Sequence, residues 1–238
     1  MPEPEPGGRA PLLSALAARL TRICPDRRIF AAVDGVDGSG KTTFADALAA
    51  VLRAAGPHHR PVVRVSLDDF HFPRAVRHRQ GPGSAEGLRF DSYNLEQFRA
   101  YVLDPLKSGG SGCYRPAGHD LRTDAVLLPP PVPAAPAAVV LVDGLFLHRG
   151  ELAAEWDFSA FLDVPFSVSA ARMAVRDGSP ADPDDPRMHR YVGGQRLYFA
   201  DSRPALRASV VVENTDPANP RIIAAAEASC SRETAGSG

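Results

Sequence analysis

Apolar positions along the chain fall into two kinds of run. Leu12, Leu13, Leu16, Ala17 and Leu20 recur at helical spacing and predict a short amphipathic helix near the start. Residues 28–34 (RIFAAVD) are instead apolar almost without a break, the pattern of a strand buried on both faces of a parallel sheet. A glycine-rich turn follows, and helical periodicity then runs from Lys41 to about residue 55. Further strands are predicted over 61–67, 138–142, 158–164 and 209–213, and further helices over 94–103, 167–176, 185–199 and 222–227. Asn94 and Gln97 stand at capping-box spacing where the first of those helices begins. Strands alternating with helices imply an α/β fold, a three-layer sandwich around a parallel sheet of about five strands.

Residues 107–137 break the rhythm. Gly109, Gly110 and Gly112 precede two short strand-like pieces and the proline-rich LPPPVPAAP, which predicts a small β-hairpin excursion returning through a stiff linker. The two ends, 1–9 and 229–238, are small, polar and rich in Pro, Gly or Ser, and read as disordered. The expected organisation is an N-terminal extension with its helix (1–27), one main domain (28–228) and a short tail.

Composition narrows the classes. The 238 residues carry a net charge of −1, which argues against a general nucleic-acid binder. Three widely spaced cysteines offer neither a disulfide framework nor a cysteine zinc site and suit a reducing compartment. The apolar stretch 139–147 is interrupted by Asp143 and falls far short of the roughly 20 residues of a membrane span. The acidic, Pro-rich start does not resemble a signal peptide, so a cytoplasmic protein without a membrane partner is expected. Of the 27 basic residues, only Lys41 and Lys107 are lysines.

Lys41 belongs to the strongest motif. The run Gly35-Val36-Asp37-Gly38-Ser39-Gly40-Lys41-Thr42 matches G-x-x-x-x-G-K-[ST], after a buried strand and opening a helix. The glycines let backbone N–H groups, including those up to Thr43, turn toward a β-phosphate, and the helix N-terminus adds its positive end. Lys41 can bridge β- and γ-phosphates, and the Thr42 hydroxyl can ligate Mg²⁺. Two other strands end in carboxylates. Asp68 follows the second and could take a proton from an attacking hydroxyl, or simply form an Asx turn. Asp143 closes the third and suits the outer shell of Mg²⁺, or a turn before Gly144.

The sequence resembles the uridine kinase / phosphoribulokinase family of P-loop kinases over roughly residues 28–227. The phosphate loop, S-x-D-x-F-[HY] at residues 66–71 and the acid-Gly pair Asp143-Gly144 carry the resemblance. It implies ATP and Mg²⁺ as cofactors and a P-loop fold with a lid over 172–190. It implies Asp68 as catalytic base, His71 holding the acceptor, Phe90 and Asp91 at the ribose, and Tyr114 and His119 framing the base. Arg172 and Arg176 would reach over the phosphates, and the loop from Thr215 to Pro220 would hold adenine. The implied reaction is phosphorylation of a small-molecule hydroxyl, foremost the 5′-hydroxyl of a pyrimidine ribonucleoside. Nicotinamide riboside, pantothenate or a sugar phosphate are the alternative acceptors, and a homo-oligomer is compatible with all of them. Two departures stand out: Arg115 replaces the acid usual after the hairpin tyrosine, and the lid runs through GSPADPDDP. A GTPase would need N-K-x-D, and neither lysine follows an asparagine. A nucleotide-dependent ATPase without kinase activity is the reading from another class.

Overall fold

The computed structural model describes residues 8–54, 56 and 59–231. Its strands are β1 (Ile29–Gly35), β2 (Val62–Ser66), β3 (Val139–Asp143), β4 (Phe158–Asp163), β5 (Val210–Glu213) and β6 (Arg221–Ile223). They form one sheet in the order β6-β5-β4-β1-β3-β2. The first five are parallel, and β6 runs antiparallel to β5. The sheet thus has one strand more than expected, because 221–223 pairs at the edge instead of opening a helix over 222–227. Ala225–Glu227 adds only a single 3-10 turn. Three residues, two of them β-branched, carry no period long enough to separate strand from helix, so the open edge of β5 decided.

Every residue of β1, β3 and β4 is buried, as the unbroken apolar runs require. Side chains alternate between the faces of β1. Ile29, Ala31 and Val33 enter one core with Leu12, Leu16 and Leu20 of α1 (Arg9–Arg22) and with Phe44, Leu48 and Leu52 of α2 (Lys41–Arg53). Phe30 and Ala32 enter the other, with Phe70, Phe98, Phe146 and Phe161. The N-terminal helix is therefore part of the packed body. Arg60 secures its far end: the buried guanidinium donates to the carbonyls of Leu20, Ile23, Cys24, Arg27 and Ala137. Removing it would strand several buried carbonyls, at about 1–3 kcal/mol apiece.

On the other face lie α3 (Ala85–Asp91), α4 (Phe166–Asp177) and α5 (His189–Ser202). Residues 74–89, where no element is predicted, contain a helical turn at Arg74–Arg77 and most of α3. Ser84 caps α3 by accepting from Gly87 N at 2.9 Å. The helix packs closely on α5: a Cβ at Gly194 would lie 2.9 Å from Leu88 Cδ2. The helix expected over 94–103 starts as Leu95–Phe98, widens into a π turn at Arg99–Leu103 and ends as Asp104–Leu106. Asn94 caps it at 3.0 Å from Gln97 N, while its own N–H donates to Phe70 O, so half of the expected box forms.

The excursion is two separate two-stranded ribbons, Cys113–Tyr114 with Val132–Pro133 and His119–Asp120 with Ala125–Val126. At the C-terminus the expected tail begins later than residue 229. Ser229 donates its N–H and its hydroxyl to the buried Asp163 carboxylate at 2.8 and 2.7 Å, and Cys230 is buried. The rest of that tail, and residues 1–7, lie outside the described residues. Among those described, no helix is long and apolar enough to cross a membrane.

Candidate active site

Strands β2 and β3 end level, since Asp143 pairs in register with Ser66, and β1 runs on to Gly35 past Val33, the partner of Asp143 on the other side. The order of the chain reverses at β1, whose neighbours are β3 and β4, and ligands of open α/β sheets bind beyond strand ends at such a point. The phosphate loop leaves β1 here. Gly38 has φ +68°, and a Cβ there would sit 2.7 Å from Ser169 O, so only glycine permits this turn against α4. Other elements hold the loop from outside. Gln195 of α5 accepts from Asp37 N at 2.9 Å, Ser169 Oγ donates to Asp37 O at 2.6 Å, and the buried Asn214 donates to Ser39 O at 2.7 Å.

Beneath the loop, Asp34 is fully buried and accepts from Gly35 N, from the ring and backbone N–H groups of His148, and from Tyr198. Burial pushes its carboxyl up, but the His148 hydrogen bond and charge outweigh that and hold it below the ordinary carboxylate value. This network fixes the strand-to-loop junction, and it is invisible in sequence because its three members lie up to 164 residues apart.

Thr42 Oγ1 donates to Asp143 Oδ2 at 2.7 Å, which joins the loop to β3 as the motif requires. Asp143 is almost fully buried, and its Oδ1 accepts from Arg64 Nη2 at 3.0 Å, a partner the sequence did not signal beyond an arginine inside an apolar strand. Lys41 Nζ donates to Val36 O at 2.8 Å, folded back over the loop. Asp37 Oδ2 and Ser39 Oγ are buried with no partner among the described residues. Burial pushes the Asp37 carboxyl up, with nearby Lys41 opposing it and Asp68 reinforcing it. No group of three or more His, Cys, Asp or Glu side chains that could hold a metal occurs among the described residues. The donor set fits a Mg²⁺ shared with phosphate oxygens, since that ion keeps its waters and takes few protein ligands.

Asp68 lies just past β2, in the 3-10 turn Leu67–Phe70, and is exposed. Its Oδ1 accepts from the buried Tyr93 hydroxyl at 3.0 Å, a positioning partner missed at the sequence level. Burial and the Asp68 charge push Tyr93 well above its ordinary value, so it remains a donor. His71 Nδ1 donates to Asp68 O at 2.7 Å, and burial pushes its pKa down. The ring is therefore held neutral with Nε2 as an acceptor. Asp69, beside them, is pushed up to about 6 by partial burial and by the charges of Asp68, Asp143 and Asp120.

The remaining acceptor-side residues are engaged with one another. Asp91 is buried and accepts from Arg79 and Gln80, so its carboxylate is occupied. Phe90 is half exposed, with the Arg89 guanidinium 5.1 Å from its ring centre. Tyr114 is half-buried against the second core, and the buried His119 donates Nε2–H to Asp124 at 3.1 Å. The ribbon bearing His119 reaches the catalytic turn through Gly118 N, which donates to Asp69 O at 2.9 Å.

Arg172 and Arg176, expected to reach over the phosphates, are both engaged with protein groups. Arg172 donates to the carbonyls of Gly38, Asn214 and Thr215 at 2.8–3.2 Å, clamping the phosphate loop to the loop after β5. Arg176 pairs with Asp177 at 2.7 Å. Beside the clamp lies a cavity of about 120 Å³, lined by Gly38, Gly40, Phe44, Arg172, Asn214 and Pro217 among others. From the loop expected to hold adenine, Pro217 lines it, beside Asn214 just before that loop. Thr215 contributes only its carbonyl to Arg172, and Pro220 is buried.

No protein-family model matches the chain, and no curated protein matches it by sequence. Solved structures do. A candidate uridine kinase from Bacillus stearothermophilus superposes with a TM-score of 0.65 at 22% identity, covering 84% of this chain and 96% of its own. A candidate fructose transport system kinase from Silicibacter sp. TM1040 superposes with a TM-score of 0.63 at 25% identity, covering 81% of this chain and 96% of its own. The structural neighbours are uridine kinase-like and related P-loop kinases, and the fold is that of a P-loop kinase.

Proposed function

We propose that this chain is a Mg²⁺- and ATP-dependent kinase that phosphorylates an alcohol group of a small molecule, with a ribonucleoside 5′-hydroxyl as the leading acceptor. The observation that carries the reading is the convergence at one sheet edge of Lys41, the Thr42–Asp143 pair and Asp68. The loop's N–H groups and Lys41 would cradle the phosphates, with Lys41 exchanging the Val36 carbonyl for phosphate oxygens. Mg²⁺ would be held by Thr42, with Asp143 acting on its waters, and supplies charge neutralisation for the transferring group. Asp68, oriented by Tyr93, accepts the hydroxyl proton, and His71 Nε2 can accept a hydrogen bond from the acceptor.

A sugar or sugar-phosphate alcohol is the second reading. The engagement of Asp91 by Arg79 and Gln80 favours it, because a ribose diol would have to displace that pair. ATP consumption by the purified protein, measured against ribonucleosides, deoxyribonucleosides, hexoses, sugar phosphates, pantothenate and nicotinamide riboside, separates the two. Turnover with ribonucleosides alone supports the first reading, and turnover with sugars alone supports the second. No turnover with any acceptor, in a protein that binds ATP, overturns the kinase assignment.

A further inference from the structure

The base cavity has a wall that belongs to neither the phosphate loop nor the lid. Arg9, the first residue of α1, lines it together with Phe44, Arg172 and Pro217. Its position is held at both ends. The backbone N–H donates to Ala218 O at 3.1 Å, and Nη2 donates to Thr43 O at 2.9 Å. The residue therefore bridges the loop after β5 and the first turn of α2, the two rims between which the cavity opens.

We propose that Arg9 is a nucleotide-binding residue whose guanidinium forms one wall of the base pocket and stacks on the purine of the phosphate donor. This rests on the phosphate loop being the triphosphate site, and it brings the N-terminal helix into that site. Two other polar side chains of the pocket are already engaged. Arg172 is spent on three carbonyls, and the Asn214 amide donates to Ser39 O. What remains is a planar cation on one side, the Thr43 hydroxyl and the apolar surfaces of Phe44 and Pro217. Such a pocket recognises the face of a base more than its edge, since every purine offers a π-face to a guanidinium. ATP and GTP are therefore expected to bind within about tenfold of each other, with pyrimidine triphosphates weaker for their smaller stacking area.

The test is calorimetric titration of the full-length protein with MgATP and with magnesium tripolyphosphate, in the wild type, Arg9→Ala and Arg9→Lys. Arg9→Ala should weaken MgATP by about 3- to 30-fold, the worth of a cation–π contact, and leave tripolyphosphate within twofold. Arg9→Lys should restore only part of the loss, because an ammonium keeps the charge without the stacking plane. MgATP affinity unchanged in Arg9→Ala overturns the proposal. So does an equal loss for both ligands, which would mean a general charge effect. A wild type that binds neither ligand overturns the phosphate-loop reading as well, an outcome distinct from both.

Discussion

The phosphate loop and the acceptor side, residues 67–137, hold polar groups at the same sheet edge in opposite ways. The loop does so with contiguous backbone, braced from outside by Gln195, Ser169 and Asn214, and it leaves Asp37 Oδ2 and Ser39 Oγ unpaired among the described residues. The acceptor side does so with side chains from short, separate elements paired with one another, Arg79 and Gln80 on Asp91 and Arg77 and His119 on Asp124, leaving Arg89 Nη1 and His119 Nδ1 unpaired among the described residues. One half presents its backbone at a glycine-rich turn and waits for a ligand. The other has its carboxylates already paired, and a ligand reaching Asp91 or Asp124 must exchange partners with pairs already made. Polar ligands gain little from such exchanges unless every displaced group is paired again, which is why the donor side is chemically readable and the acceptor is not.

The sharpest break in that comparison comes from Lys41→Ala. It should lower kcat by roughly 10³-fold or more, since it removes the fixed positive charge on the transferring phosphate. Because Lys41 contacts only a loop carbonyl, the melting temperature should hold. Asp68→Asn should lower kcat by roughly 10²–10⁴, the usual worth of a general base, with acceptor KM little changed. A pH–rate profile that keeps its acidic limb in that variant would remove Asp68 from the proton transfer.

Asp143→Asn comes next, at about 10- to 100-fold in Mg²⁺ requirement together with a lower kcat, as for other outer-shell partners of metals. Arg64 would lose a buried carboxylate at the same time, so a magnesium titration must be read beside a melting curve. Asp91→Ala tests the acceptor side directly. If Asp91 only clasps Arg79 and Gln80, the variant loses about 1–2 kcal/mol of stability and its KM for the acceptor stays put. That loss corresponds to roughly 2–8 °C in Tm for a chain of this size. A raised KM with an unchanged Tm would instead put its carboxylate on substrate hydroxyls.

The smallest expected effect is on pH dependence. Asp69 has its carboxyl pushed up to about 6, so between pH 4 and 6 the folded state binds more protons than the unfolded chain. Stability should therefore fall as pH rises through that window. The side chain is only partly buried, so screening keeps the change under about 1 kcal/mol. Asp69→Asn should flatten that part of the curve of Tm against pH.

How far the chain can be read differs by region for a physical reason. The five parallel strands, α2 and the phosphate loop each occupy one contiguous stretch, and their signals are local: buried runs, helical periodicity, and glycines where a turn leaves the range of L-residues. The positions of Thr42 and Asp143 were readable too, because one opens a helix and the other ends a strand at a predictable place, while the bond between them was not. Other features depended on which surfaces met. Pairing of 221–223 at the edge of β5 made a strand of an expected helix. Packing of α3 on α5 placed a helix where periodicity predicts no element.

The amino-acid sequence alone determined the α/β architecture, the place of the phosphate loop and the carboxylates at the strand ends, since short-range sterics and burial decide all three. Tertiary structure alone decided that Asp34, His148 and Tyr198 meet beneath the loop, and that Tyr93 orients Asp68. It also decided that Arg172 clamps carbonyls and that Arg9 lines the cavity beside that clamp. A side chain's partner is set by which elements pack together, and no local propensity encodes a contact across more than a hundred residues.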